Sequence, residues 1–179
     1  AGISSYNSAR TKEAVKILND LGTPCLIHQP SYNLFNRWVE EDKLLNTLDN
    51  LGVGSIAFTP LAQGMLTNKY LSKIPNESRA TQGKSLDKNK ITPHLIQALN
   101  ELNTIAANRE QSLAQMAIAW VLREGKVTTA LIGASKPEQV KDCVGAINNL
   151  NFNSSELSSI DKIAKDQDIN LWAQSSESI

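Results

Sequence analysis

The sequence has little cysteine, and the two that it has are Cys25 and Cys143. They lie far apart, with no C-x-x-C motif and no neighbouring pair of histidines, which argues against a disulfide framework and a zinc site. We therefore expect no metal and a reducing, cytoplasmic environment. Net charge is also lacking, because 18 basic residues balance 18 acidic ones. This balance argues against binding nucleic acid or a membrane surface through bulk electrostatics.

Long apolar stretches are missing as well. No run approaches the roughly 20 residues that span a bilayer, and no signal peptide is visible. The 179 residues are enough for one domain with its own core, and we treat residues 1–179 as a single domain. The chain starts at Ala1 rather than at a methionine, and its first residues have the pattern of the end of a strand. We therefore expect a fragment of a longer chain, or a product that needs a complementary half.

Short apolar strands alternate with amphipathic helices, which is typical of parallel βαβ units. The predicted strands are 2–5, 25–29, 55–59 and 127–132. The predicted helices are 8–21, 41–51, 137–148 and three others that begin near 92, 113 and 155. Ser8 is the expected cap of the first helix, whose apolar stripe consists of Ala14, Ile17, Leu18 and Leu21. Gly52 is expected to end the second helix, Thr92 to start the third, and Ser112 with Gln115 to form a capping box for the fourth. No G-x-G-x-x-G motif follows the first strand, which disfavours an open dinucleotide-binding sheet. We predict an α/β fold with parallel strands and surrounding helices, the C-terminal half of a (β/α)8 barrel.

Residues 127–143 hold the most informative local pattern, in which a strand, a glycine turn and a helix follow one another. Ser135 and Glu138 have the spacing of a capping box. The backbone N–H groups and the positive end of the helix suit a phosphate, and Lys136 and Gln139 add a charge and an amide there. The alternative is an ordinary turn whose serine only caps the helix.

The ends of the predicted strands carry a set of motifs in a fixed order. They are GISSY at 2–6, HQPSYN at 28–33, FTPLAQG at 58–64 and IGAS at 132–135. This succession resembles the C-terminal half of an aldo-keto reductase, a (β/α)8 barrel that uses NADPH. Within that family it is most similar to the branch of bacterial L-glyceraldehyde 3-phosphate reductases and potassium-channel β subunits. The likeness extends over the whole chain, including NLFNRWV at 33–39 and NLW at 170–172.

The resemblance implies a site for the nicotinamide at the first three strand ends. Ser4, Ser5 and Gln29 would contact its carboxamide, and the ring of Phe58 would stack on it. The family has Ser-Asn at the first pair, so Ser5 departs from the pattern. A buried amide needs partners for its oxygen and its nitrogen, and a carboxamide offers both. We expect the adjacent His28 to be a structural residue of the core.

The resemblance also implies a pyrophosphate loop after the third strand. Its backbone amides and the Gln63 side chain would contact the phosphates, and Gly64 would permit a close approach. Lys69 would add positive charge, although an ordinary solvated lysine explains it nearly as well. The cofactor-binding residues expected here are Thr59, Pro60, Leu61, Gln63, Gly64 and Lys69.

A flap and a substrate pocket complete what the resemblance implies for this region. Met65, Leu66 and the polar segment that follows would lie over the cofactor. Trp38 and Trp172 would border the substrate pocket, or would serve only in packing or subunit contacts.

The adenosine end of NADP(H) would lie at the start of the helix after the last strand. Ser135, Lys136 and Gln139 would hold the 2′-phosphate, and Asp142 would approach the adenine amine. The family usually has asparagine where this chain has Cys143, which removes an amide that would pair with adenine. The expected contacts here come from Gly133, Ser135, Lys136, Gln139, Asp142 and Cys143.

No catalytic residue is assigned in this chain, because the family's Asp, Tyr, Lys and His lie on earlier strands. The resemblance implies an NADPH-dependent reductase of a small aldehyde, such as L-glyceraldehyde 3-phosphate or methylglyoxal. This chain would supply the cofactor-binding half and would need the N-terminal half or a complementary chain, with a homo-oligomer as a further possibility. A non-catalytic, NADPH-sensing channel subunit and a truncated inactive remnant are the alternatives.

Overall fold

A computed structural model describes residues 1–72, 89 and 91–165, and its α/β architecture confirms the predicted fold class. The strands are β1 (Gly2–Ser4), β2 (Ile27–Gln29), β3 (Gly54–Ala57) and β4 (Thr129–Ala130). The helices are α1 (Ser8–Asp20), α2 (Trp38–Glu41), α3 (Leu44–Leu51), α4 (Pro93–Asn108), α5 (Leu113–Leu122), α6 (Pro137–Val144) and α7 (Ser154–Ile163). Short 3-10 turns occupy Ala62–Gly64, Asn68–Tyr70, Arg123–Gly125 and Gly145–Asn148.

The four described strands form one parallel sheet in the order β1-β2-β3-β4. Each strand is next to its successor, and one or more helices connect each pair. A parallel sheet that grows by one neighbour at a time, with helices between its strands, is the arrangement of a partial (β/α)8 barrel.

Helices cover one face of this sheet. Successive strand residues point to opposite faces, and His28, Ser55 and Ala57 are buried against the helix layer. On the opposite face, Ile27 and Ile56 are only half-buried. A closed barrel would enclose that second face.

The core lies between the sheet and α3, α4 and α5. Helix α5 is apolar on every side, and its residues 113–121 are buried apart from Gln115. Such a helix must be surrounded by other elements rather than lie at the surface. Its contacts with α4, α6 and β4 place it at the centre of the helix layer.

The helix predicted over 41–51 is interrupted, so this expectation was wrong in part. Lys43 has a φ of +58° and separates α2 from α3. Asp42 explains the break, because its side chain and its carbonyl both accept hydrogen bonds from Ser8 at the start of α1. A tertiary contact therefore overrides the local preference for one helix.

The inward stripe predicted for α1 was also wrong in part. Thr11 and Val15 are its buried residues, whereas 51% of Ile17 and 73% of Leu21 are exposed. Helix α1 contacts α3 on one side. Its exposed apolar side therefore faces away from the described helix layer.

Two predicted helix starts are confirmed by their caps. Thr92 accepts a hydrogen bond from Leu95 N at the start of α4. Ser112 and Gln115 form the expected capping box at the start of α5. The cap of α1 is Asn7 rather than the expected Ser8.

Candidate functional site at the strand ends

The carboxyl ends of the four strands lie along one edge of the sheet, because all of them run parallel. Ser4 is paired with Gln29 in the β1–β2 register, and an isolated bridge pairs Ser31 with Phe58. Leu131 N, just after β4, donates to the end of β3 at 2.8 Å. The structure therefore brings Ser4, Gln29 and Phe58 to neighbouring positions on adjacent strands.

Ser4 and Ser5 are held against the main chain of β2. Ser4 Oγ donates to Gln29 O at 2.8 Å, and Ser5 N donates to the same oxygen at 3.2 Å. Ser5 has a φ of +58°, which is uncommon for a residue with a side chain. Because the Ser4 hydroxyl donates to a carbonyl, its oxygen lone pairs remain able to accept a hydrogen bond.

The backbone of Phe58 is fixed by two hydrogen bonds. Phe58 N donates to Pro30 O at 2.9 Å, and Tyr32 N donates to Phe58 O at 3.2 Å. Ala57, the residue before it, is buried against the helices. By strand alternation, Phe58 points to the opposite face, which is also the face of Gln29.

The turn after Phe58 has an unusual backbone. Within six residues, four have a positive φ: Thr59 (+56°), Ala62 (+44°), Gln63 (+60°) and Gly64 (+95°). For the three that have a side chain, this conformation costs on the order of 1–2 kcal/mol each. Such strain persists only where surrounding contacts enforce it, and it is concentrated at functional sites.

Some polar groups of this turn are already used within it. Ala62 N donates to Thr59 O at 2.9 Å, and Gly64 N donates to Leu61 O at 2.8 Å. In the described part of the chain, Gln63 Oε1 is buried without a hydrogen-bond partner. A Cβ added at Gly64 would have no neighbour within 4 Å, so the space beside it is open.

The other residues expected beside this turn have different environments. Lys69 is exposed, whereas Met65 and Leu66 are completely buried in the core. Met65 and Leu66 therefore anchor the start of the predicted flap in the core, and they do not form the part that would lie over the cofactor. Trp38 is half-buried and donates from Nε1 to Ser31 O at 2.8 Å, which agrees with a packing role. Trp172 and most of the predicted flap, residues 73–88 and 90, lie outside the described residues.

The loop between β4 and α6 is exposed, and its capping differs from the prediction. The expected capping box of Ser135 with Glu138 is wrong, because the cap residue of α6 is Lys136, which makes no side-chain cap bond. Instead, Gln139 Oε1 accepts from Ser135 N at 2.8 Å and from Ser135 Oγ at 3.2 Å. Gln139 lies about one helical turn after Ser135, so its side chain can reach back to the backbone and the hydroxyl of that residue. Gly133, Ser135 and Lys136 are all exposed.

Asp142 and Cys143 lie further along α6 and face different surroundings. Both carboxylate oxygens of Asp142 lie 3.2 Å from Ser112 Oγ, the cap residue of α5. Cys143 is buried in a small apolar cluster with Ile118 and Ala146. Burial, followed by the charge of Asp142, raises the pKa of the Cys143 thiol. Of the two side chains, only that of Asp142 is exposed.

A half-buried ionic cluster between α2 and the end of α5 was not expected from the sequence. Glu40 accepts hydrogen bonds from Tyr32, Arg37 and Arg123, and both guanidinium groups lie near the ring of Trp120. Burial by itself would raise the pKa of Glu40, but the three hydrogen bonds outweigh it and lower that pKa. Burial raises the pKa of Tyr32. The cluster therefore contains a stable carboxylate and a neutral phenol.

This cluster borders a cavity with a volume of about 190 Å³. The cavity is lined by Tyr32, Val39, Glu40, Lys43, Leu45, Asn46, Val121, Arg123, Glu124 and Lys126. None of these is among the residues that the sequence predicts to contact the cofactor. The cavity is therefore separate from the predicted site.

In residues 1–72, 89 and 91–165, no helix combines the length and the apolar character needed to cross a bilayer. No group of three or more His, Cys, Asp or Glu side chains there is placed to hold a metal ion. Both cysteines are unpaired, buried thiols.

Comparison with known proteins agrees with this architecture. The model of the aldo/keto reductase family matches residues 1–165. The L-glyceraldehyde 3-phosphate reductase of Escherichia coli K12 is 49% identical over 180 residues, which cover 98% of this chain and 52% of that protein. A probable voltage-gated potassium channel subunit beta of rice is 33% identical over 167 residues, covering 90% of this chain and 50% of that protein. The chain thus spans about half the length of these curated relatives.

Proposed function

Because the chain belongs to the aldo/keto reductase family, we propose that it is the cofactor-binding part of an NADPH-dependent reductase of small aldehydes. The observation that carries this proposal is the meeting of Ser4, Gln29 and Phe58 at one sheet edge, beside a strained turn and the start of α6. L-glyceraldehyde 3-phosphate and methylglyoxal are the substrates we propose. The similarity to the Escherichia coli reductase supports the first of them.

The nicotinamide end of NADPH fits the chemistry of the first two strand ends. A carboxamide has an N–H₂ donor and a carbonyl acceptor. The Ser4 hydroxyl already donates its proton to Gln29 O, and its oxygen is able to accept a hydrogen bond from the N–H₂ group of the carboxamide. The Gln29 amide is half-buried and makes no hydrogen bond to another described residue, and we propose that it completes the pair of contacts to the carboxamide. Phe58, on the same face, offers an apolar surface for the ring.

The phosphates fit the turn at 59–64 and the start of α6. Gly64 leaves open space beside the backbone, where a bulky anion is able to approach. Ser135 and Lys136 are exposed at the positive end of α6 and provide a hydroxyl and a cation for a 2′-phosphate. This second group of residues is the reason for proposing NADPH rather than NADH.

These residues bind and orient, and none of them is assigned to proton transfer. When bound, NADPH supplies the hydride, and carbonyl reduction also needs an acid that protonates the developing alkoxide. The Tyr32 hydroxyl is bonded to Glu40 and Arg123, and Tyr70 is buried, so neither suits this role. We propose that the acid comes from a complementary N-terminal half or a separate chain, and that the 179-residue chain alone does not reduce aldehydes.

Calorimetric titration tests the proposed cofactor. We expect saturable binding of NADPH and of 2′,5′-ADP, and weaker binding of NADH. Lys136→Glu should weaken binding of both phosphorylated ligands by about tenfold, since it replaces a cation with an anion at the phosphate. Lys126→Glu is the matched control, because Lys126 lies before β4 at the opposite edge of the sheet, and it should leave both affinities unchanged.

Binding of NADPH and NADH with equal affinity, insensitive to Lys136→Glu, would contradict the proposed 2′-phosphate site. Steady oxidation of NADPH by the chain alone with either aldehyde would show that it carries its own acid. The likeness to the rice channel subunit makes a sensor the second candidate. That role predicts NADPH binding without turnover even after the complementary half is added.

A further inference from the structure

The left-handed backbone of Thr59 requires an explanation. Thr59 is β-branched and has a φ of +56°, a combination that is a genuine outlier in proteins. It is the first residue of the turn 59–64, to which the proposed function assigns the pyrophosphate. A turn that starts from so unfavourable a conformation needs contacts that hold it there.

Those contacts come from the segment after β2. Asn33 Nδ2 donates to Thr59 O at 3.0 Å, the oxygen that also accepts from Ala62 N at 2.9 Å. Asn33 Oδ1 accepts from Phe35 N at 3.0 Å, which fixes the orientation of the amide. Asn33 thus bridges its own loop and the carbonyl that closes the turn.

A second chain of hydrogen bonds reaches the Thr59 side chain. Thr59 Oγ1 donates to Phe58 O at 2.7 Å, so its proton is committed, and Ser31 must be the donor in the 2.9 Å contact between the two hydroxyls. Asn36 Nδ2 in turn donates to Ser31 Oγ at 2.9 Å. The donor-to-acceptor direction of these hydrogen bonds therefore runs from Asn36 through Ser31 and Thr59 to the Phe58 carbonyl.

The three donors are buried, with exposed fractions of 2% for Ser31, 4% for Asn33 and 6% for Asn36. Buried polar groups that lose a partner are costly, so the loop favours the one turn geometry that satisfies all of them. None of these side chains is in the predicted cofactor contacts. Asn33 and Ser31 instead bond to Thr59, the first residue of the turn, and Asn36 bonds to Ser31.

We propose that Ser31, Asn33 and Asn36 form a positioning unit that holds the turn 59–64 in its ligand-binding conformation. The inference rests on the proposed function, in which this turn binds the pyrophosphate. A turn already held in its bound shape loses less conformational freedom on binding, which raises affinity for the ligand that contacts it. The affinity of a ligand that contacts only the start of α6 should not depend on this positioning unit.

Asn33→Asp tests the proposal with almost no change of shape. The aspartate keeps an acceptor for Phe35 N but replaces the Nδ2 donor with an oxygen that repels Thr59 O. Hydrogen exchange at Ala62 N and Gly64 N should become about tenfold faster, because local opening exposes them. Exchange at Leu131 N, which joins β4 to β3, should not change. NADPH affinity should fall about tenfold, while 2′,5′-ADP affinity stays within about twofold.

Two further variants make the outcome decisive. Asn149→Asp is the matched control, because Asn149 Nδ2 also donates to a backbone carbonyl, which is that of Arg109 rather than that of Thr59. It should leave exchange in the turn and NADPH affinity unchanged. Ser31→Ala removes one link and keeps Asn33, so it should show the same effects more weakly and remains informative if Asn33→Asp does not fold.

Several results would overturn the proposal. Unchanged exchange at 62 and 64 in both variants would show that the unit does not hold the turn. Equal acceleration at Leu131 would show a general loss of stability. Faster exchange in the turn with unchanged NADPH affinity would remove the link to binding. If the unmodified chain binds neither NADPH nor 2′,5′-ADP, the proposed function is wrong. The exchange data then still decide whether the positioning unit restrains the turn.

Discussion

Burial determines the chemistry of His28, a residue on β2 beside the proposed site. His28 is fully buried, and its Nε2 lies 3.0 Å from Tyr6 O. A carbonyl only accepts, so Nε2 carries the proton of the neutral ring, and Nδ1 is buried without a partner among the described residues. Protonation would place a charge in this apolar setting. Burial therefore lowers the pKa of His28 to about 4, against small opposing effects from Tyr6 and Asp42.

This pKa predicts acid sensitivity. The unfolded chain binds a proton at His28 near its ordinary pKa of 6.5, and the folded chain binds it only near 4, so folding is disfavoured as pH falls between these values. The shift corresponds to about 3 kcal/mol of unfolding free energy, present above pH 6.5 and lost towards pH 4. Urea titrations across this range should show a loss that His28→Gln reduces. The matched variant of the exposed His94, His94→Gln, should not reduce it.

The ionic cluster around Glu40 joins elements that are distant in sequence. Arg37, beside α2, also pairs with Asp161 on α7, and Arg123 follows α5. Removing the carboxylate takes the charged partner away from Arg123, whose side chain is only 17% exposed, and leaves Arg37 paired with Asp161 alone. Glu40→Ala should therefore lower the free energy of unfolding by about 2–4 kcal/mol.

Glu124→Ala is the control for this prediction, because the pair of Glu124 with Lys126 is exposed, with 60% and 49% of the side chains accessible. It should change stability by less than about 0.5 kcal/mol in urea denaturation. Equal losses in the two variants would mean that the cluster does not stabilise the packing of α2, α5 and α7.

Local signals predicted the elements well where neighbouring residues alone decide the structure. Thr92 and Ser112 cap helices as expected, and Gly52, with a φ of +66°, ends α3. The predictions failed where distant contacts decide. Asp42 stops α2 because it binds Ser8, which lies 34 residues away in the sequence, and no local pattern contains that contact. The loop before α6 is a separate case, because Gln139 takes the place of Glu138 as the partner of Ser135 within one helical turn.

The residues of the candidate site also fall into two groups, those that the sequence could place and those that only the structure could place. Ser4, Gln29 and Phe58 could be placed together from the sequence, because strand ends of a parallel sheet share one edge. The residues that hold the turn, such as Asn33 and Asn36, could not, because their roles depend on hydrogen bonds across the sheet. The run NLFNRWV marked the segment only by resemblance.

At the scale of the whole molecule, the described sheet has two edges without a neighbouring strand, at β1 and β4. Apolar side chains are exposed near both of them. They are Ile17 and Leu21 on α1, which follows β1, and Leu131, Val140, Val144 and Ile147, which follow β4. Open strand edges with exposed apolar surface favour association. We propose that a complementary half barrel covers both.

Sedimentation velocity tests this proposal. The chain alone should self-associate, and addition of the N-terminal portion of the Escherichia coli relative should convert it to a one-to-one complex. Val144→Asp with Ile147→Asp should weaken that complex by about tenfold or more, since it places charges in the apolar contact. A chain that is monomeric alone and ignores the added portion would contradict the proposed partner.

The central claim is that the carboxyl ends of the four strands together form one binding site for NADPH. The most direct measurement is to follow backbone amide signals of the ¹⁵N-labelled chain by NMR while NADPH is added. The account predicts saturable shifts at Ser5, Phe58, Gln63 and Ser135 together, with Lys126 at the opposite edge unaffected. Shifts confined to the cavity beside Glu40, or no saturable shift at any strand end, would contradict it.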